Sequence, residues 1–322
     1  MVIGVLWSRA AMIALLMVAT AGGAAEYPNR PIRMLVPHPA GGGNDILARW
    51  LAQKMQAQGH TVIVDNRAGG NTIIATDIAA KAAPDGYTMI LTSSTHSVIP
   101  GFQPKLPFDP IKDFTAVALI ATASPILVVH PSVPATNVKE LIAWIKSKPE
   151  GVNFGSSGVS GSGHLAMELF RNKTGLNLTH IPYKGMAPAL TDIVGGNVVL
   201  MFGNLAPTLP HVKGSRLRVL ATAGTKRSPM MPEVPTVAES AISGFEVSPY
   251  FGILGPAKMT PAVVTKMNTE VGRIFAMADS RERLVALGFD PASMTPEQFM
   301  AMIKADMEKW AVVIQENKIS MN

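Results

Sequence analysis

The sequence predicts an α/β protein of two lobes joined by a hinge, and three observations predict it. Short apolar runs alternate with amphipathic helical stretches along most of the chain, the pattern of a parallel sheet with helices on its faces. Two glycine- and serine-rich loops, one in each half, leave a strand and open a helix. Two segments, 115–125 and 244–256, are placed to carry the chain from one half to the other and back. The expected division is therefore lobe one over 26–123 and 247–322, with lobe two, 124–246, inserted between them.

Taken in order, Ile32 to Val36 reads as the first strand, and Asp45 to Gln58 as a helix with Ile46, Leu47, Trp50, Leu51 and Met55 on one stripe. A strand over Thr61 to Asp65 and a helix over Ile73 to Ala83 follow. Pro84-Asp85-Gly86 closes that helix as a turn signature, and Tyr87 to Thr92 is the third strand. The second half opens with a strand over Pro125 to His130. A helix from Asn137 to Lys148 has Asn137 as N-cap and Glu140 placed for a capping box. A strand over Val152 to Gly155 leads into a helix from His164 to Thr174 ended by Gly175. Leu178 to Ile181, Ala187 to Val194, Val198 to Phe202 and Arg216 to Ala221 continue the alternation. The last third is more helical, and Thr260-Pro261 and Thr295-Pro296 each give an N-cap followed by proline at N1.

At 322 residues, with 48% hydrophobic and only 16% charged residues, the chain has enough apolar mass for two cores and is not a disordered polymer. Nineteen methionines are present, and Met267, Met302 and Met307 at helical positions read as core filler. There is no cysteine, which excludes disulfides, thiolate catalysis, cysteine metal sites and a lipid-modified N-terminal cysteine. Residues 1–25 carry Arg9, an apolar run from Ala10 to Ala21 and then Gly23-Ala24-Ala25. That is the layout of a secretory signal peptide, its apolar run too short for a spanning helix. Loss of Arg9 with that leader lowers the formal charge of +6 by one. A mildly basic surface favours small anions, whereas no run of five basic residues suggests nucleic acid.

Ligands in open α/β sheets bind beyond the carboxyl ends of strands, where helix N-termini point. The first such loop is 37–45. In it, Ala40, Gly41, Gly42, Gly43, Asn44 and Asp45 offer converging backbone N–H groups at a helix start. It lacks the Gly-Lys-Ser/Thr ending of a phosphate loop and the GxGxxG of a dinucleotide loop. The second is 155–164, where Ser156, Ser157, Ser162, Gly163 and His164 supply hydroxyls and amides. Its serines raise the alternative of a periplasmic hydrolase, but no frame gives the Gly-x-Ser-x-Gly elbow; a plain helix-capping loop is the simpler alternative. Ser93 and Thr95 after the third strand, and Asn204 after Phe202-Gly203, are added as distal contacts. The seven histidines form no i,i+4 pair, so no metal site is expected.

Several motifs in this order resemble the substrate-binding proteins of tripartite tricarboxylate transporters, the Bug family. They are Tyr27-Pro28-x-Arg30-Pro31-Ile32-Arg33, the run from Val36-Pro37 through Gly41-Gly42-Gly43-Asn44-Asp45 to Arg49, and Ala83-Pro84-Asp85-Gly86-Tyr87-Thr88. Gly155-Ser156-Ser157-Gly158, His164-Leu165-Ala166, His180-Ile181-Pro182-Tyr183-Lys184-Gly185, Arg227-Ser228 and Val234-Pro235-Thr236-x-x-Glu239 follow. The resemblance implies a type II periplasmic binding fold and a cleft that holds a carboxylate on backbone amides and ordered waters of the two loops. It also implies ligands among di- and tricarboxylates, aromatic carboxylates and acidic amino acids, and a membrane permease as partner. The chain departs from the family pattern at Ala68-Gly69-Gly70-Asn71, at Gly203-Asn204 where an aspartate is common, and at Tyr250-Phe251 where a tryptophan-like position falls. The expectation is a monomeric periplasmic carboxylate-binding protein without catalysis, cofactor or metal. The alternatives are a serine hydrolase and a ligand-loaded sensor for a membrane receptor.

Overall fold

The computed structural model describes residues 27–319; the expected signal peptide at 1–25 lies outside the described residues. The chain begins with β1 (Ile32–Val36), α1 (Gly43–Gln56), β2 (Val62–Asn66), α2 (Ile73–Ala80), β3 (Thr88–Ser93), α3 (Thr95–Phe102) and β4 (Phe114–Ala123). The middle section is β5 (Ile126–Val129), α4 (Val138–Lys146), β6 (Val152–Ser156), α5 (Ser162–Thr174), β7 (Leu178–Pro182), α6 (Met186–Val194), β8 (Leu200–Gly203), α7 (Leu205–Lys213), β9 (Arg218–Thr222) and α8 (Val237–Ser240). The chain ends with β10 (Tyr250–Pro256), α9 (Pro261–Ala276), α10 (Ala278–Ala286), β11 (Phe289–Pro291) and α11 (Pro296–Glu316).

Two sheets result. One has the order β11-β4-β10-β3-β1-β2, the other β7-β6-β8-β5-β9. β1 pairs in parallel with β2 and β3, whereas β10 inserts antiparallel between β3 and β4. In the second sheet β6 pairs in parallel with β7 and β8, and β5 runs antiparallel to β8 and β9. Strand periodicity sorts the cores. Ile32, Met34 and Val36 of β1 enter one cluster with Leu47, Leu51 and Met267, while Leu35 enters another with Ala75, Phe299 and Ile303. Leu127 and Val129 of β5 likewise face Phe154 and Phe170, while Ile126 and Val128 face Ile193 and Met201. Each large buried aliphatic side chain contributes about 1.5–3 kcal/mol. Both sheets are thus sandwiched, as near-continuous apolar strands require.

The sheets are joined at adjacent crossings. Only Ser124 and Pro125 separate β4 from β5, and the return segment between β9 and β10 runs beside them. The Ala123 N–H donates to Pro249 O, Ala223 N–H to Pro125 O and Val247 N–H to Ala223 O, each at 2.8 Å. The third link is α11. Its first half buries Phe299 and Ile303 in the six-stranded lobe, and its second half buries Trp310, Val313 and Ile314 in the five-stranded lobe. Arg171 donates to Asn317 O at 3.3 Å, and Asn172 to Glu316 at 2.9 Å. A Cβ at Gly101 of α3 would lie 2.6 Å from Ile314 Cδ1, so the glycine permits this helix to seat.

Several helix starts follow local rules. Thr295 and Gln298 form a capping box with Pro296 at N1, as do Thr236 and Glu239 before α8. Asn137 accepts from Glu140 N–H at 3.0 Å, but the Glu140 carboxylate turns to Thr136 instead of closing the box. Four helices, α3, α7, α8 and α10, lie outside the sequence expectation; α3 and α7 carry Pro100 and Pro210 in their interiors, which interrupts the pattern, and α8 is a single turn.

Candidate ligand cleft between the lobes

A cavity of ≈ 120 Å³ lies where the two lobes and the hinge meet. Lobe one contributes Ser93, Ser94 and Thr95 from the exit of β3, with Val98 behind them; lobe two contributes Ser160, Gly161, Ser162 and Leu165 from the start of α5. Val247, Ser248 and Pro249 of the return crossing form a third side with Phe251, and Asp306 and Trp310 of α11 a fourth. An engineered cavity of about 150 Å³ holds benzene, so a small organic molecule matches this volume.

Apart from Asp306, the polar groups of the wall are uncharged and positioned by the fold. The Tyr250 N–H donates to Ser94 Oγ at 2.7 Å, and the Ser94 N–H to Tyr250 O at 3.2 Å, locking the β3 exit onto β10. Ser93 and Thr95 hydroxyls lie 3.4 Å apart. On the other side Gly161 occupies the N-cap of α5 and so has no side chain to cap the first turn, whose N–H groups lack intrahelical acceptors. Ser160 sits in the left-handed region at φ 65°. Its N–H donates to His164 Nδ1 at 3.3 Å, which holds the serine there. Among the described residues no lysine, arginine or histidine lines the cavity, and Asp306 is its one ionisable side chain.

The residues expected from sequence separate into two groups. Ser93, Thr95 and Ser162 line the cavity together. Ala40, Gly41, Gly42, Gly43, Asn44, Asp45, Ser156, Ser157, Gly163, His164 and Asn204 do not. The first glycine loop stands behind the wall: a Cβ on Gly43 would lie 3.1 Å from Phe289 and 3.4 Å from Phe251, and these rings pack edge to face at 4.8 Å. Asn44 is buried and donates to Leu91 O at 3.0 Å. Asp45 accepts from Gly41 N–H, Arg49 and Asn66. Desolvation pushes its pKa up, but hydrogen bonds from Arg49, Gly41 and Asn66 outweigh that and hold it below the ordinary value. Gly163 is tight against the second sheet, where a Cβ would lie 2.2 Å from Phe202 O. Asn204 is exposed at the N-cap of α7. The sequence reading missed Ser160, Ser248, Asp306 and Trp310; only the hydroxyl-rich run 156–162 signalled any of them.

Ser156 is the serine that a hydrolase would need examined. Its Oγ lies 2.6 Å from His180 Nε2 but also donates to Gly158 O and accepts from Gly158 N–H. It is fully buried and outside the cavity. Desolvation, then the nearby His164 and Arg171, lowers the His180 pKa to about 3, which makes it a weak base. His164 stacks on His180 at 3.8 Å. These imidazoles brace the loop, and among the described residues no carboxylate hydrogen-bonds to His180.

A family model for the tripartite tricarboxylate transporter family receptor matches residues 47–319. The chain belongs to that receptor family. A curated relative, the protein BugT of Bordetella pertussis, is 35% identical over 307 residues, covering 93% of this chain and 94% of that one. Among solved structures, R. palustris Rpa4515 with adipate superposes with a TM-score of 0.78 at 32% identity, covering 92% of this chain and 99% of that one. The periplasmic binding protein BugD does so at 0.75 and 31%, covering 91% and 99%. The chain is accordingly a two-lobed solute-binding protein of the Bug type. Its described helices include none long and apolar enough to cross a membrane, and among the described residues no cluster of three acidic or histidine side chains could hold a metal ion.

Proposed function

We propose that this receptor captures a small organic carboxylate in the cavity between its lobes, without catalysis, and delivers it from the periplasm to a membrane permease of the tripartite tricarboxylate type. The observation that carries the reading is the convergence of neutral donors on one interlobe cavity: the Ser93–Thr95 exit on one side and the 160–162 turn at the uncapped start of α5 on the other. Neutral hydroxyls and amides satisfy a carboxylate yet bind it less tightly than a buried arginine would, which suits a protein that must release its cargo. The adipate held by a relative of similar fold supports the ligand class, and the hinge supports closure around it, since a ligand touching both lobes favours the closed form by its differential affinity.

Thermal unfolding of the purified chain against a panel of mono-, di- and tricarboxylates tests this. A ligand at a hundred times its Kd adds about 2.7 kcal/mol to stability, so at least one member should raise Tm by several degrees. A flat response to the whole panel contradicts the reading. Co-purification of the loaded chain with its permease tests the delivery step.

A further inference from the structure

Besides the hinge and α11, the lobes also touch on the cleft side. β6 and β8 are neighbouring parallel strands, so the helices that leave them, α5 and α7, begin on one edge of the second sheet. That edge faces the cavity through Ser160 and Ser162. There the first turn of α7 meets Gly288 of lobe one. A Cβ on Gly288 would lie 2.9 Å from Ala206 N and 3.3 Å from the Cβ atoms of Ala206 and Leu205. No rotamer change can move such atoms aside. Gly288 follows α10 in the left-handed region at φ 77°. That conformation accounts for a glycine at this point of the chain, but not for the approach of the other lobe.

The next two residues connect this contact to the cavity and to the hinge. Phe289 packs edge to face on Phe251 at 4.8 Å, and Phe251 lines the cavity. Asp290 accepts from Ser124 Oγ at 3.0 Å, and Lys226 of lobe two lies near enough to favour its charge. β11 pairs with the last residues of β4, Phe289 with Ala123 and Asp290 with Thr122, immediately before the crossing at Ser124. Rotation of lobe two about that crossing therefore carries α7 toward Gly288 or away from it.

We propose that Gly288 is the closing contact of the receptor, a positioning residue whose missing side chain lets lobe two seat on lobe one at Ala206 and so sets how tightly the cavity shuts on its ligand. This rests on the carboxylate-binding reading above and adds the residue that governs closure. Gly288 itself does not line the cavity. A ligand gripped by both lobes is held in proportion to the fraction of molecules able to close. A side chain at 288 wedges the lobes apart and lowers that fraction without touching the ligand.

Paired variants of the full chain test it. Asparagine tolerates the left-handed region, so Gly288→Asn fills the contact with little backbone strain. Gly59→Asn is the control, because Gly59 has φ 85° and nothing within 4 Å of its Cβ position. Of adipate, malate and citrate, the one that the unsubstituted chain binds most tightly should bind Gly288→Asn about tenfold or more weakly, through faster dissociation, and Gly59→Asn within about twofold. Matching melting curves show that both variants fold. The chain has no cysteine, so Gly288→Cys combined with Ala206→Cys introduces two thiols alone. Their 3.3 Å Cβ separation is close to the roughly 3.5–4.5 Å that a disulfide spans. Oxidised glutathione should join them within one molecule, and small-angle scattering should then show the ligand-free chain to be more compact than its reduced form. Gly288→Asn binding as tightly as the unsubstituted chain would overturn the assignment, as would thiols that stay unjoined or a cross-link that leaves the chain no more compact. If the unsubstituted chain binds none of the three carboxylates, the carboxylate reading fails for them, and the cross-linking and scattering still decide the closing contact.

Discussion

The carboxylate of Asp45 and the backbone N–H of Gly41 are joined by a 2.9 Å hydrogen bond that closes the first strand-to-helix loop on itself. Gly41 is in the left-handed region at φ 86°, and Asp45 adds Arg49 at 2.9 Å and Asn66 at 3.0 Å. One buried acid thus ties together the loop, the first helix and the second strand.

Asp45→Ala should therefore act on stability. It leaves the Gly41 amide without its partner and should cost about 1–3 kcal/mol, read as a lower denaturant midpoint at pH 7. The folded-state pKa lies below the ordinary 3.8, so the native state gains from ionised Asp45 above that value and loses the gain as pH falls beneath it. The gap between the two proteins should narrow in acid unfolding below about pH 4.

Two glycines in helices should respond with opposite sign. A Cβ at Gly163 would lie 2.2 Å from the Phe202 carbonyl oxygen, a backbone atom that cannot swing aside. Gly163→Ala should destabilise by about 1–3 kcal/mol. Gly272, inside α9, has nothing within 4 Å of its Cβ position, and Gly272→Ala should stabilise by about 0.5–1 kcal/mol. Paired urea titrations check both, and equal midpoints would contradict the packing account.

Histidine burial makes the fold acid-sensitive above the carboxylate range. Desolvation lowers His180 to about 3 and His96 to about 4, each from 6.5. Depressed folded-state values mean that the stabilisation is complete above pH 6.5 and is lost as pH falls toward these values, because the unfolded chain takes up the protons first. Tm should be level from pH 8 to 7 and decline from 6.5 to 4.5. His180→Asn should lower Tm at pH 8 and make that decline shallower.

Ser156→Ala separates bracing from catalysis. It removes an oxygen that serves both His180 and Gly158, so the expected effect is a loss of about 1–3 kcal/mol with any background hydrolysis of an activated ester unchanged. Turnover that vanishes in the variant would establish the hydrolase instead.

Trp310 offers a direct optical readout. It lines the cavity and is largely buried in the second lobe's core. Ligand binding to the chain without residues 1–25 should shift tryptophan emission, and Trp310→Phe should abolish that shift, because Trp50 and Trp144, the other tryptophans among the described residues, lie outside the cavity.

Much of this architecture was legible in local sequence. Ile126–Val129 is buried along its length, and Ile32–Val36 at every position but Arg33, because helices cover both faces, and an apolar run with turn residues at its ends carries that information. Thr295-Pro296 likewise marked the start of α11 to the residue. The site was less legible. The four serines of 156–162 look alike in sequence, yet Ser156 turns inward to His180 while Ser160 and Ser162 reach the cavity. Asp306 was hidden because an acid within a polar helical stretch reads as solvated surface.

The sequence by itself determined the alternation of strands and helices, the absence of thiol and disulfide chemistry and the hydroxyl-rich strand exits, because each depends on residue type and short spacing. Only the tertiary structure decided which exits meet. Val247–Pro249 passes beside the first crossing, and α11 spans both lobes to bring Asp306 and Trp310 against Ser93 and Ser162. Such contacts join residues more than a hundred positions apart, and no local propensity encodes them; they arise from how two separately packed cores lean on a shared helix and hinge.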